Sequence, residues 1–405
     1  MSKYNFLFSF IFLSISFYSN AECEKVSYPL STQQQYIVDT KNCKVTLRSV
    51  NWFGGESEAF TPGGLDLRPV SSLIYQIKDA GFNSIRLPWS NEMVAKNPVI
   101  KDRLLSANPH LQGKTALEIF DYIIEEAGKA GLMIILDNHR SRADWCCDAD
   151  QGDGLWYSKE YPQNIFFEHW VKLVNRYKEV PNVVAAELRN EIRPDPTIDL
   201  TPTWGTGEVE TDWKAAATKA GNLILENNAN LLIMVGGLRW QVDLEEVKEQ
   251  PIKLKSKNKL VYVAHDYVWN HEEEDLHDPQ RFASSAYKRW GFVLEPNKPY
   301  TAPLYLSEWG GCTQLGADNK PCPENRYQFL TAFVNYLCDL EEGSSVSWAY
   351  WPLNGTQLMG YNRIEGEVEA YGLLKPDWKS WASPRLVARL NGNSCNSISP
   401  RGKAL

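Results

Sequence analysis

Short apolar and β-branched runs alternate along this chain with amphipathic stretches of helical period. The runs are Thr46–Trp52, Ser84–Leu87, Met133–Asp137, Val183–Leu188, Leu231–Val235, Leu260–His265, Leu304–Ser307 and Val346–Trp351. They are nearly continuous in apolar character, as strands covered on both faces must be. Between them lie Val70–Ala80, Ala116–Ala130, Phe166–Tyr177, Trp213–Glu226, Pro279–Trp290 and Asn325–Leu340, and a last helix falls near Trp378–Leu390. Eight strand–helix units predict a parallel (β/α)8 barrel of α/β class. The unit after the fifth strand is the weakest, with only a short helix around Asp243–Glu249. An open doubly wound sheet is the competing arrangement, but no glycine-rich phosphate fingerprint follows the first strand. No internal repeat, low-complexity tract or Pro/Ser-rich linker divides the chain. The expected layout is a short β cap over 22–44, one barrel domain over 45–395 with extended strand-to-helix loops, and a tail over 396–405.

The long connections Gly54–Pro69, Ser90–Lys114, Ser141–Gln163, Glu191–Thr211, Asp266–Pro279 and Leu353–Tyr371 all follow strand C-termini, the side on which a barrel builds its active face. They carry Trp145, Trp156, Trp204 and Trp269, aromatic groups that are costly to leave in water without a purpose. The chain has 15 tryptophans and 19 tyrosines, more than core packing alone requires, and faces that stack on sugar rings would use the surplus.

Charge and cysteine content narrow the class of partner. A formal charge of −8 disfavours a polyanion such as nucleic acid. Lys3, the apolar run Phe6–Phe17, and small residues at Ser19 and Ala21 form the three-part pattern of a secretory signal peptide over 1–21. That run is too short to span a bilayer comfortably, so export without a membrane span is expected, extracellular or periplasmic. A monomer is expected. All eight cysteines follow the leader, and an even count in an exported chain argues for disulfides. Proximity favours Cys23–Cys43 and Cys312–Cys322, leaving Cys338–Cys395 to tie the last helices together. Adjacent Cys146 and Cys147 either bridge each other or stay reduced. The spacing fits no common zinc pattern, and no cofactor is expected.

Polar side chains that each end an apolar strand carry the chemistry. Arg86 ends the second strand, Asn138-His139 the third, Asn190-Glu191 the fourth, His265-Asp266-Tyr267 the sixth, Ser307-Glu308 the seventh and Trp351 the eighth. Any one of them alone has an ordinary structural reading. Together they converge on one rim of a barrel. Two glutamates across a barrel mouth can divide the work of glycosidic cleavage. One protonates the leaving oxygen while the other attacks the anomeric carbon, and retaining enzymes hold the two carboxyl groups about 5–5.5 Å apart. Arg86 would keep the attacking carboxylate ionised, and Tyr267 would donate to it.

From about Val45 to Trp381 these residues resemble glycoside hydrolase family 5, the cellulase family, in its plant-type and microbial cellulase-like branch. The matching blocks are Asn51-Trp52-Phe53-Gly54, Gly63-Gly64-Leu65-Asp66, Arg86-Leu87-Pro88-Trp89-Ser90-Asn91-Glu92-Met93, Leu136-Asp137-Asn138-His139, Ala143-Asp144-Trp145-Cys146-Cys147 and Leu188-Arg189-Asn190-Glu191. The resemblance implies Glu191 as acid/base, Glu308 as nucleophile, Asn190 as partner of the sugar 2-hydroxyl, His139 and His265 as lining of the sugar site, and Trp351 as its platform. Trp348 is the fallback, because the run Trp-Ala-Tyr-Trp blurs the match. Ile192 stands where the family usually has proline, and Trp309 where phenylalanine is commoner. The implied activity is an endo-β-1,4-glucanase that retains configuration. Mannanase, β-1,3-glucanase or glycolipid specificity, or a binding barrel without catalysis, are the alternatives.

Overall fold

The computed structural model describes residues 25–315, 321, 323–339 and 346–390. A hairpin of β1 (Ser31–Gln33) and β2 (Tyr36–Val38) precedes eight parallel strands. These are β3 (Arg48–Asn51), β4 (Ser84–Ser90), β5 (Met133–Arg140), β6 (Val183–Glu187), β7 (Leu232–Gly236), β8 (Leu260–Asp266), β9 (Leu304–Trp309) and β10 (Val346–Tyr350), closed into a barrel by pairing of β10 with β3. The helices between them are α1 (Val70–Asp79), α2 (Asn91–Lys96), α3 (Ala116–Lys129), α4 (Gln163–Arg176), α5 (Trp213–Asn227), α6 (Glu273–His277), α7 (Pro279–Arg289), α8 (Glu324–Asp339) and α9 (Pro384–Leu390). The fold is the expected (β/α)8 barrel.

Strand alternation sorts the core into two layers. Ile85, Leu87, Ile134, Leu136, Tyr262, Trp348 and Tyr350 point outward and pack with the helices. Met133, Ile135, Val184, Met234, Val261, Val263 and Tyr305 fill the barrel. Leu30 and Ile37 of the cap join that inner layer together with Val45 and Leu47, so the cap plugs the end where the strands begin. The opposite end is left open for polar groups.

The helices follow from their sequence spacing. α1 buries Val70, Leu73, Ile74 and Ile77, one stripe at helical period. α5 begins after Asp212, whose carboxylate accepts from Ala215 N at 3.1 Å and also holds Gly205 N and Gly207 N at 2.8 Å. Where the pattern is weakest, after β7, only a 3-10 turn forms at Glu245–Val247. Two short helices lie inside stretches that read as loops: α2, capped by the Ser90 hydroxyl on Met93 N, and α6. The last helix starts at Pro384 rather than near Trp378, because Asp377 folds back on Lys379 N and Ser380 N as a turn and proline favours the first helical position.

Among the described residues no helix is long and apolar enough to cross a membrane. The leader over 1–21 and the tail over 396–405 lie outside the described residues, as do Cys23, Cys322 and Cys395. Cys43, Cys312 and Cys338 are disulfide-bonded, and Cys146 bridges Cys147.

Candidate active site

The open end of the barrel is a cleft of about 690 Å³ lined, among others, by His139, Asn190, Glu191, His265, Tyr267, Glu308 and Trp351. Arg86 lies beneath it, fully buried, and binds the groups that line the floor. Its Nη1 donates to Glu308 Oε1 at 2.7 Å and to Asn51 Oδ1 at 2.9 Å. Its Nε and Nη2 grip Glu187 at 2.7 and 2.8 Å, and Nη2 also reaches Asn190 Oδ1 at 2.8 Å. A guanidinium has five donors in a rigid fork, and only that fork can serve this many acceptors at once.

A register shift places Glu308. β8 and β9 slip past each other between Ala264 and His265, so that His265 pairs with Glu308. Such an irregularity lets two successive residues face the same side. Ser307 and Glu308 therefore both turn inward, Ser307 to Glu187 and His265, and Glu308 to Arg86 and Tyr267. Tyr267 OH donates to Glu308 Oε2 at 3.1 Å.

Glu191 follows β6 with a left-handed backbone, φ 45°. The side chain of Gln241 secures that conformation by accepting Glu191 N at 2.5 Å. Glu191 Oε1 meets His265 Nδ1 at 2.9 Å. Single ligand atoms of Glu191, His265 and Glu308 all lie within 4.8 Å of one another, so the two carboxyls face each other at short range.

Burial pushes Glu191 up to about 7, opposed by Arg193 and Arg86. Burial also pushes Glu308 up to about 7, against the pull of His265 and Arg86. Two buried carboxyls this close do not readily ionise together. Glu308 holds direct bonds from Arg86 and Tyr267, whereas among the described residues no guanidinium is bonded to the Glu191 carboxyl. Glu308 thus holds two direct donors that favour its ionised form, from Arg86 and Tyr267.

The remaining positions fall around this pair. His139 Nδ1 bonds Asp137 Oδ2 at 2.6 Å, its ring stacks on Trp351 with centroids 5.5 Å apart, and burial holds it well below the usual histidine range. Asn190 is oriented by Arg86 at its oxygen, which turns its amide nitrogen toward His139 Nε2 at 3.4 Å and Cys147 Sγ at 3.6 Å. Trp351 faces inward, like Ala349. Trp348 points the other way, between Phe82 and Trp309, and is no part of the cleft.

These features are those of a sugar-cleaving barrel, and the sequence model of Cellulase (glycosyl hydrolase family 5) matches residues 38–357. The chain belongs to glycosyl hydrolase family 5. An endoglucanase of Paenibacillus polymyxa is 31% identical over 90% of this family-5 hydrolase and 87% of its own length. The major extracellular endoglucanase of Xanthomonas campestris pv. campestris is 27% identical, covering 87% of this chain and 69% of that protein. Among solved structures, a complex of an endocellulase variant from Pyrococcus horikoshii with cellotetraose superposes with a TM-score of 0.73 at 26% identity, over 91% of this chain and 99% of the other. The protein is a glycoside hydrolase.

Of the loop tryptophans, Trp145 and Trp269 line the family-5 cleft, but Trp156 and Trp204 do not. Trp156 is fully buried against Trp213, and Trp204 packs into the outer core with its indole N–H on Gln250 O. Long loops need cores of their own, and these two rings supply it. Sequence reasoning missed Asp137, Glu187, Trp240 and Gln241. The two acids had a signal, since a carboxylate inside an otherwise apolar strand is costly unless paired. Gln241 and Trp240 had none.

Proposed function

We propose that this chain is an exported endo-β-1,4-glucanase that hydrolyses β-glucan by double displacement with net retention. The observation that carries the reading is the pair of facing carboxyls with oxygens within 4.8 Å, close enough for attack without an intervening water. In the first step Glu308 attacks the anomeric carbon from one face. Glu191 gives its proton to the leaving glycosidic oxygen, and a glycosyl ester forms on Glu308. In the second step Glu191, now ionised, takes a proton from water. The hydroxide so formed displaces Glu308 and releases sugar of the original configuration. Asn190 presents its amide N–H to the sugar beside the ester carbon, and Trp351 offers a ring face below it.

Export is supported by the leader pattern from Lys3 to Ala21 and by the extracellular relative. The glucan assignment is supported by the endoglucanase relatives and by the cellotetraose complex of the neighbour.

The deciding experiment measures sugar release from carboxymethylcellulose, barley β-glucan, laminarin, galactomannan and xyloglucan, with Glu308→Ala as control. Release from the β-1,4-containing glucans that vanishes in Glu308→Ala supports the reading, as does a β-anomeric product seen by NMR. Release from galactomannan or laminarin alone rejects the substrate, and an α-anomeric product rejects retention. Chelator is expected to leave the rate unchanged, because the His265 nitrogens and the Glu308 oxygens are already committed to Glu191, Ser307, Arg86 and Tyr267. A rate restored only by added metal would contradict this.

A further inference from the structure

We propose that Glu187 and Ser307 are positioning residues that fix the tautomer of His265 and so hold Glu191 in its proton-donating form. The proposal deepens the reading of Glu191 as the acid and rests on it.

Ser307 Oγ lies 2.9 Å from Glu187 Oε1 and 2.9 Å from His265 Nε2. A serine hydroxyl has one proton to give. Glu187 is fully buried and gripped through both oxygens by Arg86, so it is an anion and only accepts. The hydroxyl proton is therefore committed to Glu187. What faces His265 is a lone pair, and Nε2 must carry the ring proton. Burial disfavours the doubly protonated ring, which leaves Nδ1 as a bare lone pair. That nitrogen sits 2.9 Å from Glu191 Oε1. A lone pair against an ionised oxygen repels, and the contact becomes a hydrogen bond when Glu191 keeps its proton. The fixed charge pair at the barrel floor is thus felt at the cleft through two neutral groups.

Other charges face the same atoms. Glu308 Oε2 lies 3.8 Å from His265 Nδ1. Together with Glu187 and Asp137 it favours a second proton on the ring, which Arg86 opposes. At Glu191, Asp137 opposes ionisation while Arg193 and Arg86 favour it. The rival arrangement is an imidazolium donating to an ionised Glu191, with both ring nitrogens protonated. The two are spectroscopically distinct.

The test is side-chain nitrogen NMR of the labelled protein, with the His265 signals identified by their loss in His265→Gln. At about pH 6, near the unperturbed histidine value, the expected ring is neutral with its proton on Nε2. A proton on Nδ1, alone or with Nε2, overturns the proposal. Ser307→Ala frees the ring to carry its proton on Nδ1 and to stabilise ionised Glu191. The Glu191 carboxyl titration and the alkaline limb of kcat/KM should both move to lower pH by about one unit, a tenfold loss above the limb. Ser307→Thr, which keeps the hydroxyl, should restore both. An unmoved titration in folded Ser307→Ala also overturns the proposal. If that variant fails to fold, the wild-type ring spectrum decides alone. The spectra need no substrate, so they stand even where the glucan assignment fails.

Discussion

Arg86 shows how one side chain organises a site. It takes Glu187, Glu308, Asn190 and Asn51 in direct hydrogen bonds and lies 3.1 Å from Asp137. Removing a partner from a buried ionic cluster costs about 3–5 kcal/mol, because the remaining charges stay unpaired. Arg86→Lys keeps the charge and loses the fork. It is expected to lower the unfolding midpoint and to cut kcat by about a hundredfold or more, since Glu308 loses its orienting donor. Wild-type kcat in a destabilised Arg86→Lys would show that the residue serves the fold alone. The residue itself was legible as a cation in an apolar strand, although that strand runs on past it to Ser90. Its second carboxylate was not singled out, although Glu187 stands out in Val183-Val184-Ala185-Ala186-Glu187 as the one charge in an apolar run.

Elements were readable where a period repeats and unreadable where a single contact decides. The eight strands and the long helices appeared at nearly their observed bounds, because a side chain's direction alternates along a strand and recurs each helical turn. The same parity separates inward Trp351 from outward Trp348 once the strand's start is known. Loops offer no such rule, which is why Trp156 and Trp204 read as cleft residues and are found in the core. The β6–α5 connection illustrates what holds a loop instead. Asp212, almost fully buried, accepts three backbone N–H groups, one from the first turn of α5 and two from the loop. Asp212→Ala is expected to cost about 1–2 kcal/mol as a lost cap. Calorimetry would read it as a Tm lowered by a few degrees with the carboxyl pair intact. An unchanged Tm would mean that the loop is held by its buried Trp204 alone.

Across the whole molecule the buried carboxyls set how stability responds to pH. Glu191 is raised from the ordinary carboxylate range to about 7. The folded chain therefore binds the proton more tightly than the unfolded one. The stabilisation this gives is present below the unfolded value and is lost as pH rises through 7. Glu191→Gln, which stays neutral, should match the wild type at pH near 5 and exceed it at pH near 8, by up to about 3 kcal/mol at 1.36 kcal/mol per unit. Denaturant midpoints at both pH values check this, and a constant difference between the two proteins would refute it. His169 acts in the opposite sense. Burial lowers it to about 4, so its contribution is lost as pH falls below the unfolded histidine value. The two effects together favour a stability maximum between those limits.

One small turn on the rim limits how this barrel can be remodelled. Arg239, Trp240 and Gln241 all have left-handed backbones, with φ 54°, 59° and 59°. Gly236 and Gly237 precede them where a Cβ would collide with the Gln241 side chain and the Asp243 carbonyl. From that turn the Gln241 side chain holds Glu191 N, and its own carbonyl accepts His265 N at 2.8 Å. One residue after β7 thus staples the ends of β6 and β8. Grafting a foreign loop here to change specificity would unfasten Glu191 and its histidine together. A working chimera must take its first borrowed residue after Gln241.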